Sequence, residues 1–199
     1  MNHLAWEEWN PRLADYWRTW THPYRHKVIE HVSKHTPLDG TVLEFGCAIG
    51  INLFLLKLKR PDIKLIGYDL NDRARNYASL LVEDWDVDIR EAPKTSDDIP
   101  KADVIYTTFT LAYMQYPHIL EYLKAFIIRS NVMVLGEPTL MVEKMAKAEF
   151  TGLPCPGWVY PYPYILKEMG RHVDVELIGP QDGKSATVNA ITIAKEPSE

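Results

Sequence analysis

Cysteine is almost missing from this 199-residue sequence: only Cys47 and Cys155 occur, far apart. Two isolated cysteines build neither a disulfide framework nor a thiolate metal cluster, so a reducing, cytoplasmic setting is expected. Long apolar runs are missing too. The most apolar stretch, Ile51 to Leu56 with Asn52 inside it, falls far short of the roughly 20 residues that cross a bilayer. The opening stretch MNHLAWEEWNPRLADYW carries acids and tryptophans early, so no signal peptide and no membrane partner are expected. Positive charge is not in excess. The 22 Lys and Arg stand against 27 Asp and Glu, a formal net charge of -5, and no nucleic-acid partner is expected from that balance. Internal repeats and low-complexity segments are absent. The remaining composition, 46% hydrophobic and 25% charged, is that of a globular chain sized for one domain with a modest extension.

What is present has a clear order. Residues 1–36 read as helices: Trp6 and Trp9, then Tyr16 and Trp17 with Trp20, stand three or four residues apart, and YRHKVIEHVSKH places Val28, Ile29 and Val32 on one side. From residue 41, strands and helices alternate. TVLEF, KLIGYD, VDIREA, ADVIYTTF and NVMVLGE read as strands one to five. GINLFLLKLKR, NDRARNYASLLVEDW and HILEYLKAFIIR read as helices between them, the second capped by Asn71 or Asp72. PTLMVEKMAKAEF is then expected to be helical, TGLPCPGWVYPYPY a structured loop, and ILKEMG a short helix ending at Gly170. HVDVELIG and ATVNAITIAK, joined by PQDGKS, form a hairpin expected to add an antiparallel edge. This alternation predicts an α/β fold: an open, mostly parallel sheet with helices on both faces. Ligands of such sheets sit beyond the C-terminal ends of the strands.

That end holds the turn Glu44-Phe45-Gly46-Cys47-Ala48-Ile49-Gly50. A dinucleotide fingerprint starting at Gly46 needs glycines where Ala48 and Ile51 stand, and no Gly-Lys-Ser/Thr follows for a phosphate loop. The pattern acid-x-Gly-x-small-x-Gly resembles the first motif of the class I S-adenosylmethionine-dependent methyltransferases. Asp69, ending the second strand in LIGYDLN, matches the family's ribose-binding acid, and a carboxylate offers two acceptors to a vicinal diol. The likeness runs from residue 40 to 195 and includes the terminal hairpin. It implies a Rossmann-like sheet and S-adenosylmethionine as cofactor, with S-adenosylhomocysteine as product. It further implies cofactor contacts from Glu44, Gly46, Cys47, Ala48, Gly50, Asn52, Asp69, Leu70 and Thr108. Ala48 replaces the middle glycine, which a negative φ tolerates. The glycines are expected to let backbone approach the ligand. Glu91, Asp97 and Asp98 are all candidates for the adenine amine.

On the acceptor side, the resemblance implies that residues 1–36 form a helical lid over a domain spanning 37–199. Trp20, Tyr24, Trp158 and Tyr160 are the candidate pocket walls, although core packing also explains most aromatic stripes. Tyr113, His118 and Glu137, at or just beyond the ends of strands four and five, are the candidate acid–base groups. The expected reaction is methyl transfer to an O or N nucleophile of a small aromatic or cationic acceptor. The alternatives are a non-catalytic nucleotide- or S-adenosylmethionine-binding module, an NAD-dependent oxidoreductase and a protein methyltransferase. Cys155 in LPCPG superficially resembles the cysteine nucleophiles of base-carbon methyltransferases, but a structural thiol is expected. No Asn-Pro-Pro-Tyr-like tetrapeptide follows the fourth strand, which argues against amines of DNA bases. The seven histidines form no metal constellation, and His31 and His35 read as the solvated face of a helix. Nothing in the sequence indicates an oligomeric state.

Overall fold

The computed structural model describes residues 21–140, 146–148, 157–178 and 187–197. The first element among the described residues is helix α1 (Pro23–His35), with Pro23 preset for the first turn and the His22 side chain accepting from the Tyr24 N–H. Then follow β1 (Thr41–Phe45), α2 (Ile51–Lys59), β2 (Lys64–Asp69), α3 (Asp72–Leu81), β3 (Val87–Glu91) and β4 (Ala102–Thr108). Next come α4 (Tyr116–Arg129), β5 (Ser130–Leu140), β6 (Ala146–Ala148), β7 (Gly157–Val159), α5 (Tyr162–Glu168), β8 (His172–Leu177) and β9 (Thr187–Lys195). Short 3-10 turns cover Ser96–Asp98 and Leu111–Tyr113. Asn71 caps α3, its side chain accepting from the Ala74 N–H at 2.8 Å.

Seven strands form one sheet in the order β3-β2-β1-β4-β5-β9-β8. All neighbours from β3 to β5 are parallel. β9 runs antiparallel to both β5 and β8, so the reversed strand lies inside the sheet and β8 forms the edge. Strand order reverses at β1, with β2 on one side and β4 on the other, and this opens a crevice at the C-terminal ends.

Alternation along β1 divides the core. Val42 faces a cluster containing Val28 and Val32 of α1, Leu53 and Leu56 of α2, and Ala74 of α3. Leu43 and Phe45 face a second cluster with Leu123 and Phe126 of α4 and Ile165 and Leu166 of α5. Helices therefore cover both faces. Val28, Ile29 and Val32 of α1 are buried, as their spacing predicts. Two glycines permit the first layer to sit close. A Cβ on Gly67 would lie 2.6 Å from Leu53 Cδ1, and one on Gly136 would lie 2.8 Å from Val28 Cγ2. Among the described residues no helix is long and apolar enough to cross a membrane.

Three expectations are corrected. Pro138–Leu140 do not begin a helix; they extend β5, paired with β9 through Leu140↔Thr187, and Ala146–Ala148 form β6 against β7. The Glu, Lys, Met and Ala content of this stretch favours helix locally, but pairing to a distant strand overrides it. Pro138 is tolerated because β5 has by then run past β4, whose register ends at Thr108↔Gly136. GWVYPYPY is not a loop: it supplies β7 and the first turn of α5, with its prolines at the helix start. Nor is His31 on a solvated face. Its side chain is 16% exposed, and Nε2 lies 2.6 Å from Glu176 Oε2 on β8.

Gly136→Ala tests the seating of α1. The added methyl collides with Val28 Cγ2 and lies 3.2 Å from the Thr107 carbonyl. A destabilisation of about 1–3 kcal/mol is expected in urea unfolding; unchanged stability would mean that α1 is not held against β5 at this point.

Candidate active site

The turn after β1 is tied to β2 by its own backbone. The N–H groups of Gly46 and Cys47 both donate to the Tyr68 carbonyl, at 2.7 and 2.8 Å, and Gly50 N–H donates to Cys47 O. The Ala48 N–H donates to Asp69 Oδ2 at 2.8 Å. This last bond holds Ala48 in the left-handed region, at φ 48°, against the expected negative φ. The glycines also serve a purpose other than the one expected. Gly46 (φ 83°) and Gly50 (φ 81°) need the left-handed region, but their missing Cβ atoms make room for the protein itself. A Cβ on Gly46 would lie 2.1 Å from Thr110 Oγ1, and one on Gly50 would meet Ala78 of α3 at 3.0 Å. Cys47 is buried and its thiol titrates far above its usual range because of that burial, so the backbone of this residue carries its part.

Glu44 is fully buried on the α1–α2 face of β1, flanked in register by Gly67 of β2 and Tyr106 of β4. Asn52, in the first turn of α2, donates from Nδ2 to Glu44 Oε1 at 2.6 Å and to Thr108 Oγ1 at 3.3 Å. Arg25 of α1 donates from its guanidinium to Asn52 Oδ1 at 2.6 Å. Glu44 Oε2 has no hydrogen-bond partner. The Tyr106 hydroxyl stands close enough to favour the carboxylate electrostatically, yet no aligned bond joins them. Burial pushes the Glu44 carboxyl up to about 7, against the pull of Asn52, Tyr106 and Arg25.

Asp69 ends β2 beside this group. Oδ2 accepts from Ala48 N–H and Oδ1 from Asn71 N–H, each at 2.8 Å. Burial raises its pKa and the two backbone donors oppose that rise. Arg75 binds the carbonyls of Asp69 and Leu70, at 2.9 and 2.8 Å, and so fixes the strand end; Leu70 is half-buried. Of the three acids considered for adenine, Glu91 pairs in register with Asp69. Asp97 and Asp98 sit in the 3-10 turn further along, and Asp98 accepts from the Thr95 hydroxyl.

Thr108 is followed by Phe109, whose φ of 52° is unusual for a bulky residue and marks strain at the strand end. Its N–H donates to the Gly136 carbonyl at 3.0 Å, and its ring packs 5.2 Å from that of Tyr24. Tyr24 is buried and donates to the Ala190 carbonyl at 3.4 Å. Glu137, on the opposite face from Glu44, holds the loop after β4. It accepts from the Thr107 hydroxyl and the Thr110 N–H at 2.8 Å, the Leu111 N–H at 3.2 Å and the Ala112 N–H at 3.4 Å. Burial raises its carboxyl to about 7 in spite of these donors. Tyr113 is buried in the 3-10 turn of that loop. His118 lies in the first turn of α4, 58% exposed and 4.0 Å from Glu121. Tyr160 is buried, donating to the Met114 carbonyl at 2.6 Å; Trp158 is half-buried. Trp20 and Cys155 lie outside the described residues.

Glu44, Asn52, Asp69 and Thr108 thus lie together at the sheet reversal. Arg25 and Phe109 join them there, although neither stands out in the sequence. No cluster of three or more metal-ligating side chains exists among the described residues.

A family model described as "Methyltransferase domain" matches residues 16–157, more than half of the chain, and the chain belongs to that family. No curated protein matches it. Solved structures share the fold at low identity. The N-terminal domain of EvdMO1, crystallised with SAH bound, is 14% identical, with 89% of this chain and 82% of that one aligned at a TM-score of 0.67. DesVI of Streptomyces venezuelae is 12% identical over 95% of this chain and 100% of its own, at a TM-score of 0.66. The mitomycin 7-O-methyltransferase MmcR is 11% identical over 90% of this chain and 60% of its own, at a TM-score of 0.60. The sheet described above is the Rossmann-like sheet of these neighbours, with its one antiparallel strand second from the edge.

The left-handed Ala48 carries a testable strain. A non-glycine residue in this region costs about 1–2 kcal/mol, partly offset by the greater freedom of glycine in the unfolded chain. Ala48→Gly is therefore expected to raise stability by up to about 1 kcal/mol, read as a higher midpoint in thermal unfolding; a fall in the midpoint would show that the conformation is not strained.

Proposed function

We propose that this protein transfers a methyl group from S-adenosylmethionine to an O or N nucleophile of a small, aromatic or cationic molecule. The observation that carries the reading is the unpaired oxygen of Glu44. A buried carboxylate oxygen with no donor is costly, and a cationic amine is the partner that removes the cost. The methionine part of the cofactor carries such an amine. Asp69 fits the ribose: each oxygen already accepts one backbone N–H, and each keeps a lone pair for a hydroxyl. Gly46, Cys47, Ala48 and Gly50 form the floor of the site, Asn52 and Thr108 support Glu44, and Leu70 and Glu91 are assigned to the adenine side.

The bound cofactor supplies a methyl group already activated on a sulfonium. The protein's own part is alignment and exclusion of water. Half-buried Phe109, backed by the buried Tyr24 ring, offers aromatic surface where α1 meets the end of β4, and such surface favours flat or cationic acceptors. Trp20, outside the described residues, is assigned to the acceptor pocket as well, and Trp158, which packs against the second cluster, to its other wall. Tyr160 supports it, its hydroxyl held by Met114 O. Tyr113 and His118, on and just after the β4 loop, are the acid–base candidates of this reading. Glu137, with four donors, is assigned to holding that loop.

Calorimetry with S-adenosylmethionine, S-adenosylhomocysteine and NAD, followed by turnover with a panel of small acceptors, tests the reading. Binding of NAD without the other two would overturn it. Asp69→Ala removes a charged acceptor worth about 1.5–3 kcal/mol per bond. At least a tenfold loss of S-adenosylhomocysteine affinity is expected with the fold kept, and unchanged affinity would refute the ribose assignment.

Residues 1–36, ending in α1, are proposed to act as the lid. Deleting residues 1–20 is then expected to leave cofactor binding largely in place and to lower methyl transfer sharply. Normal turnover by the truncated chain would remove the lid from this scheme.

A further inference from the structure

We propose that Arg25 is a positioning residue for the cofactor site: acting through the Asn52 amide, its guanidinium holds Glu44 as a carboxylate with one oxygen bound and the other without a donor, as the counter-charge for a ligand ammonium. The inference rests on the methyl-transfer reading and extends it to a residue outside the glycine turn, on a helix that precedes the whole sheet.

The geometry is a chain of two short bonds. Arg25 donates to Asn52 Oδ1 at 2.6 Å, and Asn52 Nδ2 donates to Glu44 Oε1 at 2.6 Å. A guanidinium has donors only, so it fixes which end of the amide faces it. With Oδ1 turned to Arg25, Nδ2 is obliged to face Glu44 and Thr108. The opposite orientation would set an amide oxygen against a carboxylate oxygen. The positive charge also polarises the amide and strengthens its donor end.

Charge selects Arg25 among the groups around Glu44. Tyr106 faces it from β4, Asp69 from the end of β2 and Cys47 from the turn. Burial keeps the Tyr106 phenol and the Cys47 thiol neutral, and Asp69 opposes a second negative charge. Arg25, from α1, is the cation of this set. Glu44 already titrates near neutrality, at about 7. Loss of the Arg25 charge raises it further, so at pH 7 more of the protein carries a protonated Glu44 with no counter-charge for an ammonium.

The test is the pH dependence of S-adenosylhomocysteine binding between pH 5.5 and 8.5. In the wild type the affinity is expected to fall about tenfold per pH unit below the Glu44 midpoint and to level off above it, since binding then requires loss of one proton. Arg25→Gln keeps a donor for Asn52 but no charge. It is expected to move the levelling point upward by about one pH unit, which at pH 7 reads as up to tenfold weaker binding that recovers by pH 8.5. Arg25→Met is a second charge-free variant with the same expected shift, and Arg25→Lys is expected to restore most of the wild-type midpoint.

Carbon-13 NMR of glutamate-labelled, ligand-free protein, with Glu44→Gln for assignment, reads the same shift directly on the Glu44 carboxyl. A loss of affinity equal at every pH, with the Glu44 midpoint unmoved, would overturn the proposal and leave Arg25 a packing residue. If the wild type binds no S-adenosylhomocysteine at any pH, the methyl-transfer reading fails. The ligand-free titration still decides whether Arg25 governs Glu44.

Discussion

The bond from Asn52 to Glu44 sets the character of the whole ligand end. A carboxylate at the C-terminal end of the central strand is out of contact with water, and without a donor it would be a severe defect in the core. Asn52 satisfies one oxygen and the other stays buried without a donor. The first turn of α2 must therefore lie directly over the end of β1. That in turn demands a sharp reversal between them, two residues in left-handed glycine geometry, and space beside the strand end. Gly67 supplies that space on one side, where any Cβ would strike Leu53 and Cys47.

Strain gathers in the same place. Ala48 and Phe109 have positive φ, at 48° and 52°, and they flank the crevice from the ends of β1 and β4. Each is held by a bond that the surrounding fold imposes: Ala48 by Asp69, Phe109 by the Gly136 carbonyl. Strained backbone persists where neighbours over-determine it, and ligand sites are where it collects. Glu137 is the counterpart on the other face. Its four donors draw Thr107 and the loop from Thr110 to Ala112 onto the end of β5. The loop that follows Phe109 is thereby fixed from beneath.

The sequence made the sheet legible because its signals are local. β2 coincides with KLIGYD, and β1 with TVLEF, since each apolar run is bounded by turn residues. Glu44 and Asp69 were legible as strand-end acids beside a glycine turn. The features that were not legible depend on partners far away in the chain. The extension of β5 through Leu140 rests on β9, and the burial of His31 rests on Glu176, 145 residues further on. The φ of Ala48 rests on the Asp69 side chain, and the need for glycine at position 50 rests on Ala78. Helix propensity, read from Glu, Lys and Ala in 138–150, gave the wrong answer at 138–140 and 146–148 because it contains none of this.

Arg25 shows why the N-terminal helix belongs to the site as well as to the core. Its neighbour Tyr24 is buried against the sheet, with its hydroxyl 3.3 Å from where a Gly136 Cβ would stand. Successive helical residues are rotated by about 100°, so seating Tyr24 on β5 turns Arg25 toward α2. There it meets Asn52. The spacing of Val28 and Val32, one and two turns further on, keeps the helix in that rotation by burying the same stripe. The rotational setting of α1 that fills the core is therefore the setting that delivers a fixed positive charge to the glycine turn. A change that lets α1 slip would weaken packing and the ligand end together.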